Sequence, residues 1–202
     1  MKDALSILNE ELPQAYQEKA PLFADFLQQL TYWNKTYNLT AIRKIEDMVP
    51  LHIIDCLSII PCVQGSRILD VGTGAGFPGI PLAICMPELD ITLVESNRKR
   101  IQFLQTIKHE LRLNNVKIWQ GRIEQYQTDV GFDTITSRAF SNLLQFMAFT
   151  KHLCAENGIW CAMKGHVPCA ELAELSNPYE IYSYTIPKQS VARCCILIKN
   201  KE

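Results

Sequence analysis

One stretch decides the fold of this chain: Arg67-Ile68-Leu69-Asp70-Val71-Gly72-Thr73-Gly74-Ala75-Gly76-Phe77-Pro78-Gly79. Its apolar first part ends near an acidic residue, a glycine-rich segment follows, and a second apolar segment runs from Ile80 to Met86. This order predicts a buried strand, a tight loop and the start of a helix. Glycines suit the loop because its backbone turns sharply and approaches a ligand with no Cβ in the way. Since the open N–H groups of a helix N-terminus favour polar or anionic groups, the stretch predicts a nucleotide-type cofactor site.

Length and composition indicate one soluble globular unit. The chain has 202 residues, of which 48% are hydrophobic and 20% charged, enough for a sizeable core. No apolar run approaches the ~20 residues of a membrane span, and Met1 to Ser6 lack a signal-peptide pattern, which predicts a cytoplasmic protein with no membrane partner. The net charge of −1 excludes a globally basic surface, so any nucleic acid must be held by a local patch.

The eight cysteines and four histidines show no metal-binding spacing. The cysteines form no Cys-x-x-Cys pair, and most lie in apolar runs, where a free thiol behaves as a small hydrophobic group. The histidines show no His-x-x-x-His spacing. We therefore expect reduced thiols and no metal.

From Arg67 onward, strand-like and helix-like segments alternate, which predicts an α/β fold with a mostly parallel sheet covered by helices on both faces. The predicted strands are Ile68–Val71, Ile91–Glu95, Val116–Trp119, Phe132–Thr136 and Ile159–Met163. Two further strand-like runs, Tyr179–Ile186 and Arg193–Lys199, are joined by Pro187 to Ser190. They predict an antiparallel hairpin that closes a seven-stranded, Rossmann-like sheet.

The residues before this alternation predict an N-terminal helical extension. Apolar residues recur at helical spacing from residue 5 to 12 and, more strongly, from residue 22 to 33. Asp47 is predicted to cap the next helix, which places Pro50 in a first turn, where its missing N–H matters little. We expect residues 1–64 to form an extension that packs on a core of residues 65–202 as a single compact unit.

The glycine loop can be read in two registers, which predict different cofactors. Gly74-x-Gly76-x-x-Gly79 matches the dinucleotide pattern but starts four residues after Asp70, whereas that pattern opens directly at the strand end. Asp70-x-Gly72-x-Gly74-x-Gly76 matches the pattern of S-adenosyl-methionine methyltransferases, and no Gly-Lys-Ser/Thr completes a Walker A loop. Glu95 suits the ribose hydroxyls of either cofactor. The loop therefore favours a methyltransferase, as does the terminal hairpin, and leaves a nicotinamide-dependent reductase open.

Several polar loop ends are expected at the same edge of the sheet. In an open α/β sheet, ligands bind at the carboxyl ends of the strands. This rule brings together Gly72–Gly76, Glu95, Arg122–Glu124, Arg138–Phe140 and Lys164.

A set of sequence blocks resembles the RsmG (GidB) family. The blocks are Trp33-Asn34, Tyr37-Asn38-Leu39-Thr40-Ala41-Ile42, His52-Ile53-Ile54-Asp55, Asp70 to Leu82, Lys99-Arg100-x-x-Phe103-Leu104, Gly121-Arg122-x-Glu124, Ser137-Arg138-Ala139-Phe140 and Lys164-Gly165. They occur in the family's order and cover most of the chain, and their combination is specific although each block alone is weak. The resemblance implies a class I methyltransferase fold. It also implies a bacterial enzyme that uses S-adenosyl-L-methionine to methylate N7 of a guanosine in the 530 loop of 16S rRNA.

The resemblance and the loop pattern together predict the cofactor site. Position by position, the residues that match cofactor-contacting positions of the family are Gly72, Phe77, Ile123, Glu124 and Arg138. The full predicted set adds the loop and strand-end residues: Gly72, Thr73, Gly74, Gly76, Phe77, Glu95, Ile123, Glu124 and Arg138. A methyltransferase that acts on another RNA or on a small molecule is the alternative.

The implied chemistry needs no acid or base. Guanine N7 presents a lone pair and has no proton to lose. Catalysis then depends on alignment and on the exclusion of water. Arg138, at the end of the fourth predicted strand, is the best candidate for the transfer zone. It would bind the cofactor carboxylate or the O6 edge of the base, with a structural salt bridge as the alternative.

The predicted partner is 16S rRNA, in the small ribosomal subunit or its precursor, and we expect a monomer. The RNA-binding candidates are Lys35, Asn38, Arg43, His52 and Lys164. Asn38 belongs to the turn-prone stretch Trp33–Thr40, for which a plain turn and an RNA-facing surface are equally open. Arg98–Arg100 open a helix against its dipole, so a phosphate contact and a solvated face are both open there.

Overall fold

The strands form one mostly parallel sheet. A computed structural model describes residues 3–138, 140, 142–187 and 191–200. Within them the sheet has seven strands in the order β3-β2-β1-β4-β5-β7-β6. The strands are β1 (Arg67–Val71), β2 (Asp90–Glu95), β3 (Val116–Gln120), β4 (Phe132–Ser137), β5 (Cys154–Lys164), β6 (Tyr179–Ile186) and β7 (Val191–Lys199).

The predicted α/β fold with a C-terminal antiparallel hairpin is confirmed. β1 to β5 pair in parallel, and β7 is antiparallel to β5 and β6. The hairpin residues Lys188, Gln189 and Ser190 lie outside the described residues, as does Ala139 of the Ser137–Phe140 block. β5 begins at Cys154, five residues before its predicted start, because Cys154 pairs with Phe132 and a register irregularity separates that pair from the next one.

Helices precede the sheet and connect its strands. They are α1 (Ala4–Glu11), α2 (Ala20–Tyr37), α3 (Ile45–Met48), α4 (Asp55–Leu57), α5 (Gly79–Cys85), α6 (Arg98–Glu110), α7 (Leu143–Thr150) and α8 (Cys169–Ala173). Short 3-10 turns occupy Gln14–Lys19, Ile60–Cys62, Ile123–Gln125 and Lys151–Leu153, and Val49–Ile54 is π-helical.

Alternate residues of the central strands pack into two hydrophobic clusters. Ile68 joins residues of α2, α5 and α6, whereas Leu69 and Val71 join residues of α7. Because side chains of a strand alternate between the faces of its sheet, these clusters lie on opposite faces. The sheet is therefore covered on both faces, as its sequence predicts.

The order of the strands creates a crevice beside β1. This strand pairs with β2 on one side and with β4 on the other, so the direction of strand succession reverses there. Ligands of open α/β sheets bind at such a point, outside the carboxyl ends of the strands. The glycine loop follows β1 directly and therefore lies at this crevice.

The N-terminal helices share a hydrophobic core with the sheet. On α2, Phe26, Leu27 and Leu30 are fully buried. The ring of Phe26 lies 5.4 Å from that of Phe77 in the glycine loop and 6.3 Å from that of Phe103 on α6. The extension thus supports the crevice directly, while the boundary at residue 64 stays a prediction.

The predicted cap at Asp47 is wrong. The helix begins at Ile45 with Lys44 as its N-cap residue, and the Asp47 N–H already donates to the Lys44 carbonyl at 3.1 Å. Pro50 consequently lies beyond the first turn, in the π-helical segment. A π-turn shifts the hydrogen-bond pattern by one residue, which accommodates a residue that has no N–H.

Candidate cofactor and substrate site

The glycine loop has a backbone that only glycine adopts readily. Gly72, Gly74 and Gly76 have φ angles of 66°, 62° and 93°. The N–H groups of Gly72 and Thr73 both donate to the Val94 carbonyl, at 2.9 and 3.1 Å, which ties the loop to the end of β2. Gly76 donates to the Thr73 carbonyl at 3.0 Å, so it shapes the loop from within.

Asp70 anchors the loop from below. Its carboxylate is fully buried, and Oδ2 accepts from the Thr73 hydroxyl at 2.6 Å and from the Gly79 N–H at 2.8 Å. Burial raises the pKa of Asp70 to about 6, although these two hydrogen bonds oppose the rise. Its Oδ1 has no partner within the described part of the chain. Asp70 thus sets the register of the loop, which agrees with the reading that starts at this residue.

Glu95 ends β2 and faces the loop. It is 5% exposed; Oε1 accepts from the Asn97 N–H at 2.8 Å, and Oε2 from the Gly74 N–H at 3.1 Å. Arg100 forms an ion pair with Oε2 at 3.3 Å. These partners hold a buried carboxylate at the carboxyl end of β2, beside the glycine loop.

The cations that open α6 have partners within the chain. Asn97 caps the helix by accepting from the N–H groups of Lys99 and Arg100. Arg100 pairs with Glu95, and the Lys99 ammonium lies 5.5 Å from the centre of the Tyr37 ring. This favours a structural role for two of these three cations over a phosphate contact.

A first cavity of about 230 Å³ lies over the ends of β1, β2 and β3. It brings together Gly72, Glu95, Ile123 and Glu124, as predicted from the shared edge of a parallel sheet. Ile123 is 5% exposed and adds an apolar surface to the cavity that Glu95 also lines. Such a pair fits a nucleoside, whose base is flat and whose ribose donates two hydroxyls.

A second cavity, also about 230 Å³, continues from the first at Gly72. Its lining is Leu39, Thr40, Gly72, Thr73, Gly74, Ala75, Phe77, Arg100 and Arg138. The guanidinium groups of Arg100 and Arg138 suit the carboxylate of an amino acid. The two cavities together fit an elongated nucleoside that carries an amino acid, which is the shape of S-adenosyl-methionine.

Arg138 lies just after β4 and joins several elements. Its guanidinium donates to the Leu51 carbonyl at 3.4 Å and to His52 Nδ1 at 3.3 Å, and it lies 3.5 Å from Asp55. It also lies 4.9 Å from the centre of the Phe77 ring. The sequence left two roles open for Arg138, a structural salt bridge and a place in the site. Arg138 has both, because it pairs with Asp55 and lines the second cavity.

His52 is a buried neutral group. The residue is 4% exposed, and its ring stacks on Phe77 with a centroid distance of 4.4 Å. Burial, with the adjacent charge of Arg138, lowers the pKa of His52 to about 3. Both ring nitrogens bond within the chain, to Arg138 and to the Thr40 hydroxyl. This position favours support of the site over the RNA contact predicted for His52, which stays untested.

Asp55 connects the N-terminal helices to the C-terminal hairpin. It accepts from the Tyr184 hydroxyl at 2.9 Å and lies 3.9 Å from Arg193. Burial raises the pKa of Asp55, while Arg138 and Tyr184 oppose the rise. The sequence alone did not predict Tyr184 or Arg193 at this site, because 129 residues separate Tyr184 from Asp55 and no local pattern relates them.

A third cavity of about 420 Å³ adjoins the second. Its lining is Thr40, Ala41, Ile42, Leu51, His52, Asp55, Arg138, Met163, Lys164, Gly165, Tyr184 and Arg193. The predicted RNA-binding residue Lys164 lies here, where its ammonium pairs with Glu171 at 3.3 Å and donates to the Phe140 carbonyl. Its lining has three basic residues, Arg138, Lys164 and Arg193, and one acidic residue, Asp55.

His52 also lines this cavity, whereas the predicted RNA-binding residues Lys35, Asn38 and Arg43 lie outside it. Asn38 ends α2 with a φ of 48°, and its side chain accepts from Arg43 at 2.9 Å. Lys35 is exposed and lines a separate groove between α1 and α2, beside exposed Tyr32. The structure therefore does not bring Lys35 together with His52 and Lys164.

A comparison with known families decides the assignment. The family model described as rRNA small subunit methyltransferase G matches residues 19–194. This chain belongs to that family. Ribosomal RNA small subunit methyltransferase G of Legionella pneumophila (strain Corby) is 49% identical over 197 residues, which cover 96% of this chain and 94% of that protein. The protein of the same name from Methylobacillus flagellatus is 42% identical over 196 residues, again with coverage of 96% and 94%.

Solved structures show the same fold at low sequence identity. A SAM-dependent methyltransferase from Aquifex aeolicus superposes with a TM-score of 0.57 at 15% identity, covering 76% of this chain and 92% of that one. TYW2 of P. horikoshii, in complex with MeSAdo, superposes with a TM-score of 0.58 at 11% identity, covering 74% and 62%. This chain therefore has the class I methyltransferase fold.

Family membership also excludes the nicotinamide-dependent reductase that the glycine pattern left open. Within the described residues, no group of three His, Cys, Asp or Glu side chains is arranged to hold a metal ion. The same part of the chain contains no helix that is both long and apolar enough to cross a bilayer.

Proposed function

We propose that this chain transfers a methyl group from S-adenosyl-L-methionine to N7 of a guanosine in the 530 loop of 16S rRNA. The observation that carries the proposal is the junction of the cavities. The two cavities that fit the cofactor continue into a cationic third cavity at Thr40 and Arg138, in a chain of the rRNA small subunit methyltransferase G family. Cofactor and nucleotide would then meet where these two residues lie.

Different residues of the chain would bind different parts of the cofactor. Glu95 would accept from the ribose hydroxyls, Ile123 would form the wall for the base, and Arg138 would face the amino-acid end. When bound, S-adenosyl-methionine supplies an electrophilic methyl group. Guanine N7 offers a lone pair and loses no proton, so the site needs no general base. Its residues orient the base and exclude water.

The electrostatics of the third cavity agree with this division. His52 is neutral, and its two nitrogens are occupied by Arg138 and Thr40, so it is not placed to take a proton from a substrate. Asp55 is held by Tyr184 and Arg138. His52 and Asp55 therefore position Arg138. The other basic residues of the cavity, Lys164 and Arg193, attract an RNA phosphate.

We further propose that the enzyme is a cytoplasmic monomer that acts on rRNA in the small subunit or its precursor. The acceptor base is unstacked from its neighbours, because a base that is stacked inside a helix cannot enter a cavity in a protein surface. Light scattering of the purified protein tests the monomer: a mass of one chain is expected, and a stable dimer would refute it.

Methyl transfer tests the proposed function. Purified protein is incubated with labelled S-adenosyl-methionine and either free 16S rRNA or small subunits, and the product is digested and mapped by mass spectrometry. N7-methylguanosine in the 530 loop is expected. No N7-methylguanosine on either substrate would refute the proposal. Calorimetry gives a second readout, since binding of NAD but not of S-adenosyl-methionine would contradict the cofactor.

A further inference from the structure

Thr40 lies where the second cavity, which fits the cofactor, meets the third cavity. Among the described lining residues, Thr40 and Arg138 are the two shared by the second and third cavities. The Thr40 backbone is fixed by buried Asn34, whose amide donates to the Thr40 carbonyl at 3.0 Å and accepts from its N–H at 2.9 Å. The backbone of Thr40 is therefore held in place where the second and third cavities meet.

The hydrogen bonds around this hydroxyl leave one group unused. A guanidinium only donates, so His52 Nδ1 must accept from Arg138, and the His52 proton is then on Nε2. Nε2 lies 2.8 Å from Thr40 Oγ1 and donates to it, and the Ile42 N–H donates to the same oxygen at 3.2 Å. Both lone pairs of Oγ1 are thus filled. In this tautomer the proton of the Thr40 hydroxyl has no acceptor in the part of the chain that the structure describes.

We propose that the Thr40 hydroxyl donates to O6 of the target guanine and thereby selects guanine over adenine. The inference rests on the proposed function. Beside N7, guanine presents the O6 acceptor, whereas adenine presents an amino donor. A hydroxyl whose lone pairs are filled satisfies O6 and leaves an adenine amino group without an acceptor, which costs binding.

Charge favours Thr40 over Arg138 as the group that contacts O6. Methylation at N7 makes the base cationic, so a cationic donor at O6 becomes repulsive as the reaction proceeds. A neutral hydroxyl adds no such repulsion. Arg138 also has partners in Leu51, His52 and Asp55, which make it a positioning residue.

The test combines two substrates with variants of Thr40. The substrates are small subunits whose target position carries guanosine or 2-aminopurine riboside, which keeps N7 and lacks O6. Thr40→Val removes the donor, Thr40→Ser keeps it, and Thr106→Val on α6 is a control for the substitution itself. Thr40→Ala replaces Thr40→Val if the latter does not fold, as judged by thermal unfolding and cofactor binding.

On guanosine, Thr40→Val should lower kcat/KM about tenfold, mainly through KM, while Thr40→Ser stays near wild type. On 2-aminopurine, wild type and Thr40→Val should react equally. An equal loss on both substrates, or no loss on guanosine, would overturn the inference. Failure of the wild type to form N7-methylguanosine on the guanosine substrate would instead refute the proposed function.

Discussion

Neutral His52 should make stability depend on pH in a way that one substitution removes. The folded chain holds the pKa of His52 at about 3, because burial and Arg138 oppose its protonation, whereas an unfolded histidine titrates near 6.5. Below pH 6.5 the unfolded chain therefore binds a proton that the folded chain does not, and stability falls as pH falls toward 3. The loss is about 1.4 kcal/mol per pH unit, or about 2 kcal/mol at pH 5.

The assay is urea denaturation of the wild type and of His52→Gln between pH 7.5 and pH 5. Glutamine retains a donor and an acceptor but does not titrate, so its own cost is a constant offset. The difference in unfolding free energy between the two proteins should shrink by about 2 kcal/mol on acidification. Other titrating groups, including Asp70, are present in both proteins, so their contributions cancel in the difference between the two unfolding free energies.

His109→Gln is the matched control, because it removes an exposed imidazole from α6. Its difference from wild type over the same pH range is the baseline against which the His52→Gln difference is read. A His52→Gln difference that stays constant or grows at low pH would mean that His52 is protonated in the fold. The hydrogen-bond assignment at Thr40 would then fail with it.

Three further substitutions test cofactor binding by Glu95, the packing around Gly79 and the contact of Lys35 with RNA. Glu95→Gln should weaken S-adenosyl-methionine binding by about tenfold or more in calorimetry, because a charged acceptor for the ribose is lost, while Glu88→Gln at an exposed position should not. Gly79→Ala should lower the unfolding free energy by about 1–3 kcal/mol, because its Cβ would overlap Leu93 and approach Asp70 Oδ2 to 2.8 Å; Gly165→Ala, where the nearest atom is 3.9 Å away, should be nearly neutral in the same denaturation series. Lys35→Gln should reduce the slope of log affinity for rRNA against log salt by about 1 if Lys35 contacts a phosphate, and an unchanged slope would remove Lys35 from the interface.

Local patterns predicted the part of the site that lies on consecutive strand ends. Asp70, Gly72 and Glu95 were predictable because a buried strand followed by a glycine loop places them by geometry alone. Glycine spacing did not separate the two cofactors, and sequence blocks distributed along the chain were needed to do so.

Contacts between distant elements were not predictable from local patterns. The pairing of Asp55 with Tyr184 and Arg193 depends on the order of β5, β7 and β6, which no sequence period encodes. The helix cap at Asp47 was wrong because an acidic residue is equally favourable inside the first turn, where Asp47 lies. An aspartate suits either the N-cap position or the first turn of a helix, and only the backbone geometry shows which position Asp47 occupies.

Replacement of a single atom tests the central claim most directly. Small subunits are reconstituted with 7-deazaguanosine in place of guanosine at the mapped position of the 530 loop, so that carbon replaces N7. Incorporation of labelled methyl is then measured against the unmodified subunit. We predict full incorporation into guanosine and none into 7-deazaguanosine. Equal incorporation into both would contradict transfer to N7.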